Sequence, residues 1–208
     1  MREINYDILH FHVKKKHVLY LQLKLTFKLK FVTFYIKISY NNIMERITDK
    51  YVFFWGSEFS NWFECKFKYK NLTFLNSEQA FMWEKAVFFG DTETAALILK
   101  TPSPSQSKKL GRNVKNFKED VWLREGYVIM IAVNMAKFSQ NSKLKAILFS
   151  TGDKILVEAS PTDFIWGIGL YHEDDKVLDE KNWKGQNLLG KALMEVREKL
   201  KDKTDNKI

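Results

Sequence analysis

A break in composition at Met44 divides the chain and limits its ordinary globular part to residues 44–208. Residues 1–43 contain no Gly, Ala, Pro or Trp and consist mostly of Lys, Ile, Leu, Phe, Tyr and Asn. They hold eight basic and two acidic side chains, which accounts for +6 of the total charge of +9. The remaining 26 basic and 23 acidic side chains give residues 44–208 only +3, a weak argument for nucleic-acid binding. About 165 residues suit one domain.

An alternating pattern is the clearest feature of the first 43 residues. Apolar residues at every odd position of 19–31 alternate with polar ones, which predicts a strand with one apolar and one basic face. Three interpretations are open. The one we favour is an upstream extension, with the true start at Met44. The others are a β-ribbon packed on the domain or a partner, and an arm that contacts membrane or nucleic acid. An exposed strand of this kind invites aggregation, which counts against the arm.

The composition excludes several classes of protein. Hydrophobic residues make up 45% and charged residues 28% of the chain, so it is not disordered throughout. Because Cys65 is the only cysteine, intramolecular disulfides and zinc sites with two or four cysteines are impossible, and a reducing, cytoplasmic location is expected. No signal-peptide layout or uninterrupted membrane-spanning run is visible, so no membrane association is expected.

Residues 44–208 predict a mainly helical α+β domain with a small β-ribbon. Strands are expected at 51–55 and 154–159, and a hairpin at 63–74 around Lys70-Asn71. Capping residues and spacing predict helices at 78–89 after Ser77, 92–100 after Asp91, from 104 to about 111 after Ser103, 117–138, 142–149 and from 188 onward. Residues 201–208 are expected to fray. The long irregular stretch between Ser160 and Asn187, rich in glycine and tryptophan, is the first place to expect a site.

A set of collinear motifs identifies a family. They are Phe59-Ser-Asn-Trp62, Ser77-Glu-Gln-Ala-Phe-Met-Trp-Glu-Lys85-Ala, Leu110-Gly-Arg112 with Trp122, Leu156-Val-Glu158, Asp163-Phe-Ile-Trp166-Gly167-Ile-Gly169, and the run from Trp183 through Asn187 to Arg197. Each is weak alone, but together they cover nearly all of residues 51–200. The chain resembles the NADAR/YbiA family, and residues 1–43 match nothing in it.

The resemblance implies a compact YbiA-like fold and cleavage of an N-glycosidic bond to ribose. Members of the family remove ADP-ribose from guanine in nucleic acid, and others split early riboflavin-pathway intermediates with release of ribose 5-phosphate. The first substrate is ranked ahead by a small margin, and the second stays open. A catalytically silent reader of ADP-ribose or nucleic acid is a third possibility. No obligate protein partner is implied.

Three residues carry the chemistry that the resemblance implies. Glu78 is the leading acid or oxocarbenium-stabilising carboxylate, although a first-turn acid also suits a helix dipole. Lys85 lies seven residues later and so on the same helix face. It could attack the ribose and form a Schiff base, or it could be an ordinary surface lysine. Asp163 could bind ribose hydroxyls or position water, or only shape a turn.

The same resemblance supplies the substrate-binding candidates. Trp122 and Trp166 could stack on the base, or they could be buried core residues. Arg112 could bind phosphate oxygens, and Asn187 could bind sugar or cap the last helix. The other candidates are Phe59, Asn61 and Gly167.

No metal and no cofactor is expected. His172, within His-Glu-Asp-Asp, has no second histidine in residues 44–208, so a solvated acidic loop is the better interpretation. Neither a Gly-x-Gly-x-x-Gly motif nor a P-loop is present.

Overall fold

Helices dominate the part of the chain that the structure, a computed structural model, describes, which is residues 46–205 of the unit Met44–Ile208. The strand predicted at 19–31 lies outside these residues. None of the described helices combines the length and the apolar character needed to cross a bilayer. The elements in chain order are β1 Arg46–Ile47, β2 Tyr51–Phe54, β3 Phe67–Tyr69, β4 Leu72–Phe74, α1 Ser77–Phe88, α2 Thr92–Lys100, α3 Pro104–Arg112, α4 Glu119–Gln140, α5 Ser142–Ser150, β5 Ile155–Glu158 and α6 Leu188–Asp205.

A three-stranded sheet with the order β1-β2-β5 supports the domain. Strand β2 pairs antiparallel with β1 and parallel with β5, in a register that sets Phe54 opposite Glu158. The side chains of Tyr51, Phe53 and Val157 form a hydrophobic cluster with residues of the following loop. The parallel pair was not predicted from the sequence. It matters for the site, because it carries Glu158 to the end of the sheet.

The predicted hairpin is confirmed. Strands β3 and β4 pair from Phe67 opposite Phe74 to Tyr69 opposite Leu72. The two turn residues between them, Lys70 and Asn71, both have left-handed backbone angles, with φ of 47° and 64°. A two-residue turn of this kind matches the twist of the strands that it joins.

The cap predicted for the first helix was wrong by one residue. Helix α1 begins at Ser77, and its N-cap is Asn76, whose side-chain Oδ1 accepts from the Gln79 backbone N–H at 2.8 Å. Gln79 Oε1 in turn accepts from the Leu75 N–H at 2.9 Å, much as in a capping box. These reciprocal hydrogen bonds explain why Asn76, and not the neighbouring Ser77, is the N-cap of the helix.

The other helices agree closely with the sequence prediction. Asp91 caps α2 through the Thr94 N–H, and Ser103 caps α3, which has proline at its first position. Helix α4 begins and ends two residues later than predicted. Helix α6 continues to Asp205, so the fraying expected from residue 201 was wrong; residues 206–208 are outside the described part. The stretch 160–187 is irregular, as predicted, apart from two short 3₁₀ turns at Asp175–Leu178 and Glu180–Asn182.

Candidate active site

A cavity of about 780 Å³ lies where helices α1, α3 and α4 meet the end of β5 and the loop after it. This volume is within the usual range for a small-molecule site. Its lining includes seven of the ten residues that the sequence singled out, namely Asn61, Glu78, Lys85, Arg112, Trp122, Asp163 and Trp166. Residues far apart in the sequence therefore come together around one space.

Glu78 is a buried acid at the start of α1. Its backbone N–H donates to the Asn61 carbonyl at 2.9 Å, which fixes the first turn of the helix. Burial raises the pKa of the Glu78 carboxyl to about 7, while the positive charge of Lys108 opposes that rise. The nearby Trp62 side chain also favours the ionised form of the carboxyl. Near neutral pH the carboxyl is therefore protonated in a large fraction of molecules and can act as a general acid.

Lys85 lines the same cavity two helical turns further along α1. Only 8% of the residue is exposed, and its Nζ donates to the Gly111 carbonyl at 3.0 Å. The Nζ lies 3.8 Å from the centre of the Phe117 ring and 5.7 Å from that of Trp122. Burial lowers the pKa of the Lys85 amine. A lowered pKa increases the fraction of neutral amine, which is the nucleophilic form.

Asp163 both shapes its loop and faces the cavity. Its Oδ1 accepts from the backbone N–H groups of Ile165 at 3.1 Å and Trp166 at 2.8 Å. Its Oδ2 lies 3.5 Å from Lys108 Nζ on α3. The local turn role weighed from the sequence is therefore present, and the same carboxylate remains available at the cavity wall.

Aromatic rings form one wall of the cavity. The Phe81 ring of α1 contacts Trp122 with a centroid separation of 5.0 Å and meets Trp166 edge-on at 5.1 Å. Both tryptophans are half-buried, so they are neither core residues nor fully exposed. The two tryptophan rings, supported by the buried Phe81 ring, present flat apolar surface to a ligand.

Two cations of α3 also line the cavity. Lys108 and Arg112 are four residues apart and therefore lie on one face of the helix. Arg112 is exposed, which leaves its guanidinium accessible to an anionic ligand. The pair supplies the positive charge that a phosphate-bearing ligand requires.

Three of the predicted binding residues lie outside the cavity lining. Phe59 is fully buried in the core, where its ring packs against Phe54 and Phe138. Gly167 packs so tightly that a Cβ there would lie 3.0 Å from the backbone oxygens of Asp163 and Glu158. These positions support the site from behind and do not face a ligand.

Asn187 is the third of these residues, and it connects α6 to β5. Its Oδ1 accepts from the Glu158 N–H at 3.0 Å, and its Nδ2 donates to the Leu156 carbonyl at 2.9 Å. Its backbone has a φ of 53°, which asparagine tolerates better than most residues. The side chain thus does not cap the helix. It fastens the strand that carries Glu158.

Several cavity residues were not singled out from the sequence. Glu158, Lys108 and Trp62 all line the cavity. Glu158 and Trp62 both belong to motifs by which the chain resembles the family, Leu156-Val-Glu158 and Phe59-Ser-Asn-Trp62, so their positions were available as signals. Lys108 could have been found from its i,i+4 relation to Arg112. Nothing local in the sequence distinguishes Trp62 as a partner of Glu78.

Within residues 46–205, no three histidine, cysteine or carboxylate side chains come together as a metal-ligand set. His172 is buried beside Tyr171, with 4.2 Å between the ring centres. It does not line the cavity.

Comparison with known proteins identifies the family. The NADAR domain family matches residues 53–201. N-glycosidase R617 of Acanthamoeba polyphaga mimivirus is 42% identical over 164 residues, which cover 73% of this chain and 96% of that protein. Protein irg-1 of Caenorhabditis elegans is 47% identical over 135 residues, 64% of each chain.

A solved structure supports the fold independently. The NMR structure of the Escherichia coli protein YbiA superposes with a TM-score of 0.63 at 28% identity, and covers 76% of this chain and 89% of that one. In sequence, the E. coli N-glycosidase YbiA is 31% identical over 143 residues, 69% of this chain and 81% of that protein. The YbiA-like, mainly helical α+β fold predicted from the sequence is thereby confirmed, and the chain belongs to the NADAR domain family.

Proposed function

We propose that this protein removes ADP-ribose from guanine in nucleic acid. The observation that carries the proposal is the arrangement around one cavity of a proton-donating carboxyl, a nucleophilic amine, an aromatic wall and two cations. These are the groups needed to bind a base, a ribose and a diphosphate, and to break the bond between base and ribose.

The enzyme class rests on the relatives and agrees with the prediction. Proteins that match this chain over most of their length are named N-glycosidases. This chain is accordingly a hydrolase that acts on N-glycosyl bonds. The names of the relatives do not distinguish ADP-ribosyl guanine from a riboflavin intermediate as the substrate. That choice rests on the residues that line the cavity.

The charges favour a diphosphate-bearing substrate over a monophosphate. Lys108 and Arg112 lie one helical turn apart on the cavity wall, so each can meet one phosphate of an ADP-ribose group. The aromatic wall of Phe81, Trp122 and Trp166 suits a purine, since stacking on a base contributes about 1–3 kcal/mol. The single cysteine supports a reducing, cytoplasmic setting for this activity.

The reaction begins with general acid catalysis. Protonated Glu78 donates its proton to the nitrogen of the leaving base as the bond to the anomeric carbon breaks. The positive character that develops on the ribose is stabilised by the Asp163 and Glu158 carboxylates, which line the same cavity. The base leaves as a neutral molecule.

Lys85 completes the reaction in the form that we propose. Its neutral amine attacks the anomeric carbon. The bond between that carbon and the ring oxygen then breaks, one amine proton passes to the ring oxygen, and a protonated Schiff base joins Nζ to the opened sugar. Water then adds to the carbon and gives one proton to the Glu78 carboxylate. The carbon–nitrogen bond breaks as the hydroxyl proton passes to the amine, and the sugar leaves as an aldehyde that closes to its ring form. The amine and the carboxyl return to their starting forms, so the cycle consumes only water.

The decisive experiment supplies both substrate classes to the full-length protein. DNA that carries ADP-ribosylated guanosine should be cleaved, with release of ADP-ribose followed by chromatography, whereas riboflavin precursors should be cleaved slowly or not at all. Turnover of the precursors alone would overturn the choice of substrate. Binding of ADP-ribosylated DNA without turnover would instead indicate a reader.

A second experiment tests the covalent step. Sodium borohydride added during turnover should reduce the Schiff base and attach the sugar to the peptide that contains Lys85, as found by mass spectrometry. The Glu78→Gln variant should lose most of its activity, because the amide cannot donate the proton. Full activity in that variant would remove Glu78 from the mechanism.

A further inference from the structure

A second lysine, Lys137, is completely buried behind the cavity. Its residue exposure is 0%, and its Nζ donates to the Ser60 backbone carbonyl at 2.9 Å. Burial lowers its pKa to about 8, so the side chain is mainly the ammonium form at neutral pH. Burying a charged lysine is costly, and Lys137 is not among the residues that line the cavity. It therefore has no access to substrate, unlike Lys85.

The carbonyl that Lys137 binds belongs to the turn that serves Glu78. Ser60 Oγ accepts from the Trp62 backbone N–H at 3.1 Å, and the Asn61 carbonyl accepts from the Glu78 N–H at 2.9 Å. Trp62 and Glu78 both line the cavity, and the Trp62 side chain interacts with the Glu78 carboxyl in a way that favours its ionised form. Every residue of this turn thus either contacts Glu78 or fixes a residue that does.

Helix α4 supports the same turn at a second point. Asn134, three residues before Lys137 and on the same face of the helix, donates from Nδ2 to Asn61 Oδ1 at 3.4 Å. Its Oδ1 accepts from Ser77 Oγ at 3.3 Å, at the start of α1. Asn134 and Lys137 are both fully buried. One face of α4 therefore holds both the turn and the N-terminus of the helix that carries the acid.

We propose that Lys137 is a positioning residue for the reaction. Its ammonium holds the turn at residues 60–62, and the turn places Trp62 against the carboxyl of Glu78. Lys137 acts only through these residues and touches no substrate. The inference rests on the proposed role of Glu78 as the acid.

Other charged groups surround both residues. Lys137 is faced by Glu58, Cys65 and Glu158, whose electrostatic influence favours its ammonium form. Glu78 is faced by Lys108 and Arg112 from α3 and by Asp163 from the loop, apart from Trp62. Lys137 is not among the charged groups that act on Glu78, so we expect an effect of its substitution on Glu78 to be transmitted through the turn.

The test measures the Glu78 carboxyl directly and without substrate. Protein labelled with ¹³C at the glutamate carboxyl carbons is titrated by NMR, and the E78Q variant identifies the signal. In the Lys137→Met variant the Ser60 carbonyl loses its donor, and we expect Trp62 to move away from the Glu78 carboxyl. The pKa of Glu78 should then rise by about one pH unit, since one such unit corresponds to the free energy of one hydrogen bond.

The kinetic signature arises from the same change. In Lys137→Met, kcat should fall about tenfold to a hundredfold because the acid is misplaced, while KM changes little. The loss of activity with rising pH should occur at higher pH than in the unmodified enzyme, since the acid keeps its proton longer. Lys137→Arg, which can still donate to the Ser60 carbonyl, should restore both properties in large part. Lys143→Met, at an exposed lysine of α5, is the matched control and should change neither.

Two results would overturn the proposal. One is a folded Lys137→Met protein whose Glu78 titrates as before, even if its activity is low, because that would show a merely structural role. If Lys137→Met does not fold, the Glu78 titration is measured in Trp62→Phe instead. Trp62 is 46% exposed, so this substitution removes only the indole N–H next to Glu78 and leaves the rest of the turn in place. An unchanged Glu78 titration in Trp62→Phe also refutes the coupling. Because the titration needs no substrate, its outcome is independent of whether ADP-ribosyl guanine is cleaved.

Discussion

The buried acid makes the stability of this protein depend on pH in a way that can be worked out. Burial raises the pKa of Glu78 from an ordinary 4.5 to about 7. A group whose ionised form is disfavoured in the folded state binds its proton more tightly there than in the unfolded chain. Ionisation of Glu78 therefore lowers the free energy of unfolding as the pH rises from about 4.5, and this loss reaches its full value above a pH of about 7.

The magnitude is set by the size of the pKa change. One pKa unit corresponds to about 1.4 kcal/mol, so the rise to about 7 corresponds to about 3 kcal/mol in the free energy of unfolding. Part of this is already lost at pH 5, because an ordinary glutamate in the unfolded chain is then mostly ionised. Between pH 5 and pH 8 the expected further loss is about 2 kcal/mol.

The Glu78→Gln variant removes this titration and keeps the shape of the side chain. The unfolding free energy of both proteins is measured by urea denaturation with tryptophan fluorescence. The stability difference between the variant and the unmodified protein should be about 2 kcal/mol larger, in favour of the variant, at pH 8 than at pH 5. The matched control is Glu125→Gln at an exposed position of α4, which should alter stability by less than about 0.5 kcal/mol at both values of pH. An equal difference for Glu78→Gln at pH 5 and pH 8 would refute the assignment of a buried, largely protonated acid.

Three further predictions concern the lysine in the cavity and the junction of α6 with β5. Lys85→Met should abolish the borohydride adduct and lower kcat at least about a hundredfold; an adduct of unchanged yield would place the nucleophile elsewhere. Asn187→Ala should lower the unfolding free energy by about 2–4 kcal/mol in urea denaturation, because two hydrogen bonds to β5 are lost and a residue with φ of 53° becomes alanine. Gly190→Ala should cost more than about 3 kcal/mol by the same measurement, since its Cβ would lie 2.1 Å from the Leu156 carbonyl oxygen. The control Gly152→Ala, where φ is 58° and no atom is within 4 Å of the new Cβ, should cost about 1–2 kcal/mol; equal losses at the two glycines would contradict the close approach.

Local chemistry explains which elements could be predicted. Asp91 and Ser103-Pro104 determine helix starts through their own side chains and the fixed φ of proline, so the sequence alone locates α2 and α3. Lys70-Asn71 sits between two apolar strands and forms the turn expected there. At Asn76-Ser77 two capping residues are adjacent. The choice between them depends on the return bond from Gln79, which local propensity does not reveal.

Pairing between distant segments explains what could not be predicted. The parallel pair of β2 and β5 joins residues about 100 positions apart, and neither strand carries a local sign of its partner. Glu158 enters the cavity only because of that pair. Lys137 looks like any lysine on a long helix until the fold buries it completely. The role of such a residue depends on whether the fold buries it, and the burial of charged residues is poorly predicted from a single sequence.

Unlike these distant pairings, the placement of Glu78 and Lys85 on one helix face could be predicted from their spacing, without any knowledge of tertiary contacts. Seven residues on a helix bring both side chains to one face, and both line the cavity. The tertiary structure adds one thing, which is burial of that face. Removal of water disfavours the charged form of either group, so the pKa of the carboxyl rises and the pKa of the amine falls. A single physical cause therefore prepares the acid to donate a proton and the amine to attack. Substitutions that admit water at this face, such as Phe81→Ala beneath the two tryptophans, should weaken both steps together.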